Sequence, residues 1–161
     1  MTAVAAAVFV GAAPAHAVDS NVKLQSRSDG RCAAVSTINN TLIRPVCTYS
    51  QTRWRYQPRS TSPSGRPLVK FQSIYNGGCM DTNGGSWTAR VKSIACNAGP
   101  NQLWEQFSVS SGGRTYYVYK SWGAWTQLGQ HLCLHAHSAH EERLDICDTT
   151  SYDQQWTRPA A

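Results

Sequence analysis

The sequence predicts an all-β domain built from three similar units, and three observations predict it. A segment beginning at Val22 recurs 47 positions later and again, more loosely, from Val118; the six cysteines fall two to a unit; and short runs of β-forming residues are broken by glycine turns, with no sustained 3.6-residue periodicity. A chain of 161 residues holds about one domain. Its 41% hydrophobic content excludes a disordered chain, and no apolar run reaches the ~18 residues of a membrane-crossing helix, so membrane insertion is not expected.

The elements follow in order. Ala3 to Gly11 is a small-apolar run and Ala15-His16-Ala17 is an A-x-A cleavage signature, so residues 1–17 read as a secretory signal peptide, although no Lys or Arg precedes Lys23 to give the usual basic flank. Residues 18–161 then form the domain, expected outside the cell. Unit 1 (about 20–66) opens with Val22-Lys23-Leu24-Gln25-Ser26, followed by Gly30 and Cys32. Unit 2 (about 67–113) opens with Val69-Lys70-Phe71-Gln72-Ser73, followed by Gly77 and Cys79. Unit 3 (about 114–160) opens with Val118-Tyr119-Lys120-Ser121 and reaches Cys133 after an insertion of about five residues. Second cysteines follow at 47, 96 and 147, and tryptophans at 54, 104 and 156.

In an oxidising compartment an even cysteine count without close C-x-x-C spacings reads as disulfides. The repeat makes pairing within units most economical: Cys32 with Cys47, Cys79 with Cys96, Cys133 with Cys147. Each closes a loop of roughly 15 residues, for which chain entropy gives about 3 kcal/mol. Asn76-Gly77-Gly78, Asn83-Gly84-Gly85 and Ser111-Gly112-Gly113 mark tight turns, so antiparallel hairpins are expected and long helices are not.

The triplets Gln102-Leu103-Trp104 and Gln154-Gln155-Trp156, each soon after a second cysteine in a threefold repeat, resemble the ricin B-type β-trefoil lectin domain over residues 20 to 160. Unit 1 departs from the motif, since Gln51-Thr52-Arg53-Trp54 reads as one residue too long. The resemblance implies a six-stranded barrel capped by three hairpins, about twelve strands, with Trp54, Trp104 and Trp156 sharing one core that no single unit can build. It also implies a sugar site in each intact unit. An Asp two residues after the first cysteine and an Asn-Gln pair opening the triplet hold hydroxyls, and an aromatic two residues before the second cysteine stacks on the ring.

Unit 2 carries Asp81 and Asn101-Gln102 at those positions but Ile94 at the aromatic one; Trp87, in the intervening loop, is a replacement face. Asp81 can equally shape the turn before Asn83-Gly84. Unit 1 has Ala34, Pro45 and Ser50-Gln51, and no carboxylate. Unit 3 has His135, Asp145 and Asp153-Gln154, an unconventional set for a galactose-type pocket. At most one conventional sugar site is therefore expected, in unit 2.

The formal charge of +6 lies wholly in residues 18–66, where eight Lys and Arg face Asp19 and Asp29. Arg53 to Arg66, interrupted by Pro58 and Pro63, reads as an exposed connection. This basic unit offers a second partner class, an anionic cell-wall polymer or acidic glycan; beyond charge, nothing points to nucleic acid. His131, His135, His137 and His140 cluster in unit 3 without a recognised metal spacing and read as a polar hairpin, so no metal or other cofactor is expected. Trp122 and Trp125 in the insertion read either as an aromatic surface or as a barrel plug.

No G-x-S-x-G elbow is present, and no pair among the nine acids stands out as an acid/base couple, so an enzyme is not expected. The expected function is that of a secreted carbohydrate-binding, lectin-like protein using Asp81, Trp87, Asn101 and Gln102. The alternative is a binding or inhibitor module whose loops engage a protein.

Overall fold

The structure is a computed structural model that describes residues 19–137 and 140–161. The expected signal peptide lies outside the described residues. Unit 1 supplies β1 (Ser20–Val22), β2 (Gln25–Ser26), β3 (Ala34–Val35), β4 (Leu42–Ile43) and β5 (Trp54–Thr61). Unit 2 supplies β6 (Pro67–Ser73), β7 (Cys79–Asp81), β8 (Lys92–Ile94) and β9 (Trp104–Ser111). Unit 3 contributes β10 (Arg114–Ser121), the helix α1 (Trp122–Leu128), β11 (Leu132–Ala136), β12 (Glu142–Ile146) and β13 (Trp156–Thr157).

The strands β1, β5, β6, β9, β10 and β13 pair in that order, all antiparallel. Main-chain bonds Lys23 N to Pro159 O and Ala161 N to Asn21 O close the ring, leaving no free barrel edge. The hairpins β3–β4, β7–β8 and β11–β12 form a triangular cap, stitched together by bridges Thr41↔Lys92, Arg90↔Arg143 and Ile43↔Glu141. This is the β-trefoil.

Turn chemistry explains the longest hairpins. Gly112 and Gly113 sit at φ 57° and 74° between Ser111 and Arg114, the doubly left-handed geometry of a two-residue β9–β10 turn. The reading of Arg53 to Arg66 as an exposed connection is corrected in part: residues 59–61 and 63–66 are exposed, but Trp54–Thr61 forms β5 against β6. Pro58, which has no N–H to give, is accommodated where the register shifts between Pro58 and Ser60.

The three disulfides pair within units as expected: Cys32–Cys47, Cys79–Cys96 and Cys133–Cys147. Trp54, Trp104 and Trp156 are fully buried at the centre with Leu24, Phe71, Tyr119, Leu134 and Leu144. Each indole N–H donates to the carbonyl of the residue just after its unit's first cysteine, namely Ala33 (2.9 Å), Met80 (3.3 Å) and Leu134 (3.3 Å). A buried indole must satisfy its N–H, and this repeated bond does so without any other side chain.

Short 3₁₀ turns precede these tryptophans at Ser50–Thr52, Pro100–Gln102 and Tyr152–Gln154. Their common register corrects the reading of unit 1. Nothing is inserted there; Thr52 stands in the place of Gln102 and Gln154, and its hydroxyl donates to Tyr49 O at 2.6 Å. The position equivalent to Asn101 in unit 1 is therefore Gln51 and not Ser50.

Candidate functional site

Each unit presents one face between its cap hairpin and its 3₁₀ turn. The three faces have diverged.

In unit 2 this face is filled by the chain itself. The insertion of unit 3 folds into α1, whose first turn is capped by the Ser121 hydroxyl accepting from Ala124 N at 3.0 Å and whose end is marked by Gly129 at φ 66°. Trp122 N donates to Leu103 O at 2.9 Å, seating the helix on the Pro100–Gln102 turn. Gly123 lies so close that a Cβ there would stand 2.0 Å from Asn101 Oδ1, and one on Gly85 would stand 3.2 Å from Ala124 Cα.

The residues expected to hold a sugar in unit 2 are therefore engaged inside the protein. Asp81 is buried and accepts from Asn83 N at 2.7 Å, shaping the turn in which Asn83 sits at φ 49°. Gln102 is fully buried; its Oε1 accepts from Asn97 N at 2.8 Å and its Nε2 donates to Ala95 O at 2.9 Å. Asn101 faces Gly123, and its Oδ1 has no partner. The expectation of an open pocket uniting Asp81, Asn101 and Gln102 is corrected by this packing. The signal was the five-residue insertion with a glycine in it, whose destination in another unit the sequence does not specify.

Trp87 is different. It is 58% exposed and reaches out of unit 2, donating its indole N–H to Asp145 Oδ1 of unit 3 at 2.8 Å. It thus stands beside the face of the third unit.

That third face is open, a cavity of about 550 Å³ lined by Asp29, Arg44, His135, His137, Asp145 and Asp153 among others. His135, Asp145 and Asp153 occupy the three positions that the resemblance singles out, while Asp29 and Arg44 arrive from unit 1. Gln154, like Gln102, is buried and bonded, accepting from Asp148 N at 2.8 Å and donating to Ile146 O at 2.7 Å. The triplet glutamines thus brace the fold, and the residue before each one faces outward or meets α1.

Electrostatics set the protonation of this cavity. Burial pushes the His135 imidazole below its ordinary value, although Asp145 and Asp153 pull the other way, so it is neutral at pH 7. Burial would raise Asp145, but the bonds from Trp87 and from Ile146 N, with His135 nearby, hold it below the usual carboxylate range. Asp29 is likewise held low against burial by Arg31 N and by Arg44, whose Nε lies 3.1 Å from Asp29 Oδ2. His135 Nε2 is 4.0 Å from Asp145 Oδ2, and the buried Nδ1 atoms of His135 and His137 have no partner among the described residues. Carboxylates, imidazole rings and a guanidinium line one opening. Such a set suits a polyhydroxylated ligand, which both donates and accepts.

Among the described residues, no three His, Cys, Asp or Glu side chains are grouped so as to hold a metal ion. Unit 1 keeps a cavity of about 310 Å³ at its equivalent face, lined by Ala34, Ile38, Ile43, Pro45, Tyr49 and Gln51 among others. It is apolar. The basic surplus of unit 1 is partly absorbed: Arg44 is buried, and Arg27 stacks between Tyr116 and Tyr152 at 4.2 and 3.7 Å.

No protein-family model matches the chain, and no curated protein matches it. Solved structures do. The designed threefold-symmetric protein ThreeFoil superposes with a TM-score of 0.69 at 18% identity, over 88% of this chain and 99% of that one. The Polyporus squamosus lectin bound to a sialylated galactose epitope gives 0.71 at 14% identity, over 88% of this chain and 49% of that one. SeviL bound to the asialo-GM1 saccharide gives 0.65 at 14%, over 89% and 99%. At these identities the likeness is one of fold, the β-trefoil on which those lectins are also built.

Proposed function

We propose that this protein is a carbohydrate-binding, lectin-like β-trefoil, exported and disulfide-bonded, whose sugar pocket lies in unit 3. The observation that carries the reading is the open cavity at His135, Asp145 and Asp153. It occupies the position that in unit 2 is filled by α1, and it presents hydroxyl-binding groups at a face equivalent in all three units. Trp87 supplies the apolar face for the pyranose from across the unit boundary, its ring fixed by the bond to Asp145. Solved trefoils with bound saccharides support the reading by fold analogy. The A-x-A signature and the three disulfides support export. The action is binding without catalysis. An apolar unit 1 face with Ile38 at 92% exposure favours a protein partner as the second reading.

A glycan array with the intact protein and the variants Asp145→Asn, Asp153→Asn, Trp87→Ala and Asp81→Ala tests this. Hydrogen bonds to charged groups are worth roughly 1.5–3 kcal/mol, so either unit 3 variant should lose at least tenfold in affinity. Asp81→Ala should bind as the unaltered protein does. Loss of binding in Asp81→Ala alone, or hydrolysis of the bound glycans, would overturn the proposal.

A further inference from the structure

The β5–β6 and β9–β10 hairpins are equivalent by the repeat, and at one cross-strand position they differ in kind. Arg55 pairs with Gln72 in the first, near the surface; Glu105 pairs with Lys120 in the second. Glu105 is 2% exposed and Lys120 7%, with Nζ to Oε2 at 2.8 Å. A buried ion pair is a poor stabiliser relative to well-packed apolar residues. Its presence where the repeat elsewhere uses a surface pair invites a functional account.

Around the pair lies a cavity of about 320 Å³, bounded by the β5–β6 turn on one side and α1 on the other. Its walls are Trp122, Trp125 and His131, with Trp125 and His131 ring centroids 4.4 Å apart. Arg66, exposed at the turn, also lines it, its guanidinium 4.4 Å over the Phe107 ring. The carboxylate of Glu105 is already engaged: Oε1 accepts from Ser62 Oγ at 2.6 Å and Ser64 Oγ at 2.5 Å, and Oε2 meets Lys120. Burial would raise it, yet these three donors hold it below the ordinary glutamate value, so it stays ionised.

What remains for a ligand is cationic and aromatic. Lys120 has three ammonium hydrogens and gives one direction to Glu105; its Nζ lies 4.9 Å from the Trp125 ring. Arg66 makes no side-chain hydrogen bond to a described residue. Indole faces cover the C–H side of a pyranose, and the volume is at the small end of the roughly 300–1,000 Å³ typical of ligand pockets, room for one sugar unit.

We propose that this cavity binds a carboxylate-bearing monosaccharide unit, a hexuronate, with the carboxylate toward Lys120 and Arg66 and the ring against Trp125. The cavity exists because of α1, shares no residue with the unit 3 pocket, and occupies none of the three repeat-equivalent faces. The two proposals therefore stand or fall separately.

The test is an NMR titration of the intact protein with sodium glucuronate, and in parallel with methyl glucoside, following the Trp122 and Trp125 indole N–H signals. Glucuronate should shift them saturably, with a Kd of roughly 1 mM or tighter, and the neutral sugar should not. Trp125→Ala and Arg66→Gln, both altering exposed side chains that the core does not need, should each weaken glucuronate at least tenfold. Asp145→Asn, altered in the other pocket, should leave it unchanged. Equal response to the two sugars, no saturable shift, or unaltered affinity in both cavity variants would overturn the assignment.

Discussion

Glu142 offers the sharpest test of the cap's electrostatics. It lies on β12, fully buried, and neither carboxyl oxygen has a hydrogen-bond partner among the described residues. Arg44 approaches it at 3.6 Å, but that guanidinium is already directed elsewhere, to Asp29 at 3.1 Å, His137 O at 2.6 Å and Glu141 O at 3.3 Å. Burial therefore prevails over the attraction and pushes Glu142 from 4.5 up to about 8. The folded protein keeps a proton there that the unfolded chain releases above about pH 4.5, so this group's contribution to stability declines as pH rises from 4.5 to about 8 and is level beyond. At 1.36 kcal/mol per unit the decline sums to about 5 kcal/mol if the carboxyl stays in place. Glu142→Gln has the shape of the protonated acid and no proton to lose. Urea unfolding of both proteins with disulfides intact, from about pH 5 to about pH 8.5, should give equal midpoints at the acid end. At the alkaline end the variant should lead by roughly 2–5 M, taking a urea slope of ~1–3 kcal/mol/M. His135, held low by burial, weakens both proteins alike as pH falls through its ordinary value near 6.5, so it cancels in the difference. Midpoints that run parallel across the whole range would refute the reasoning.

Two further substitutions probe unit 2. Gln102→Leu should cost roughly 2–4 kcal/mol in urea unfolding, because Asn97 N and Ala95 O both lose their partner; a cost below about 1 kcal/mol would mean that water replaces the amide. Gly123→Ala sets helix propensity against packing: alanine favours the helix by about 1 kcal/mol, but its Cβ would meet Asn101 Cα at 2.8 Å as well as Oδ1. Packing should win, with a net loss of about 1–3 kcal/mol and faster amide exchange along α1, whereas a variant at least as stable as its parent would show that the helix is not seated on the Pro100–Gln102 turn.

Much of the fold was legible because it is written three times. Cysteine pairing, the buried tryptophans and the cap hairpins each follow from a pattern that recurs at a nearly fixed offset, so an irregularity in one unit is outvoted by the others. The site was less legible for the same reason. Asp81, Asn101 and Gln102 match the positions that the resemblance singles out, but Gln102 is bonded within its own unit and Asn101 is met by α1, which comes from another unit. Asp29 and Arg44 reach the unit 3 cavity from unit 1, and Trp87 of unit 2 bonds to Asp145 beside it. Contacts of this kind join residues about 60 to 100 positions apart in sequence, where no local pattern announces them. The strand Trp54–Thr61 was obscured by Pro58, since a bulge that accepts proline leaves no trace in periodicity.

The indole bond to the main chain, repeated in every unit, has a consequence for how such a protein changes over time. Each unit is fastened by a disulfide, a tryptophan and backbone carbonyls, none of which belongs to the outward face. Substitutions at exposed positions of those faces remove none of these three fastenings. One face is mainly apolar, one is covered by α1, and one is lined by histidines and aspartates. The threefold plan thus sets three different surfaces on one shared frame, each built partly from a neighbouring unit.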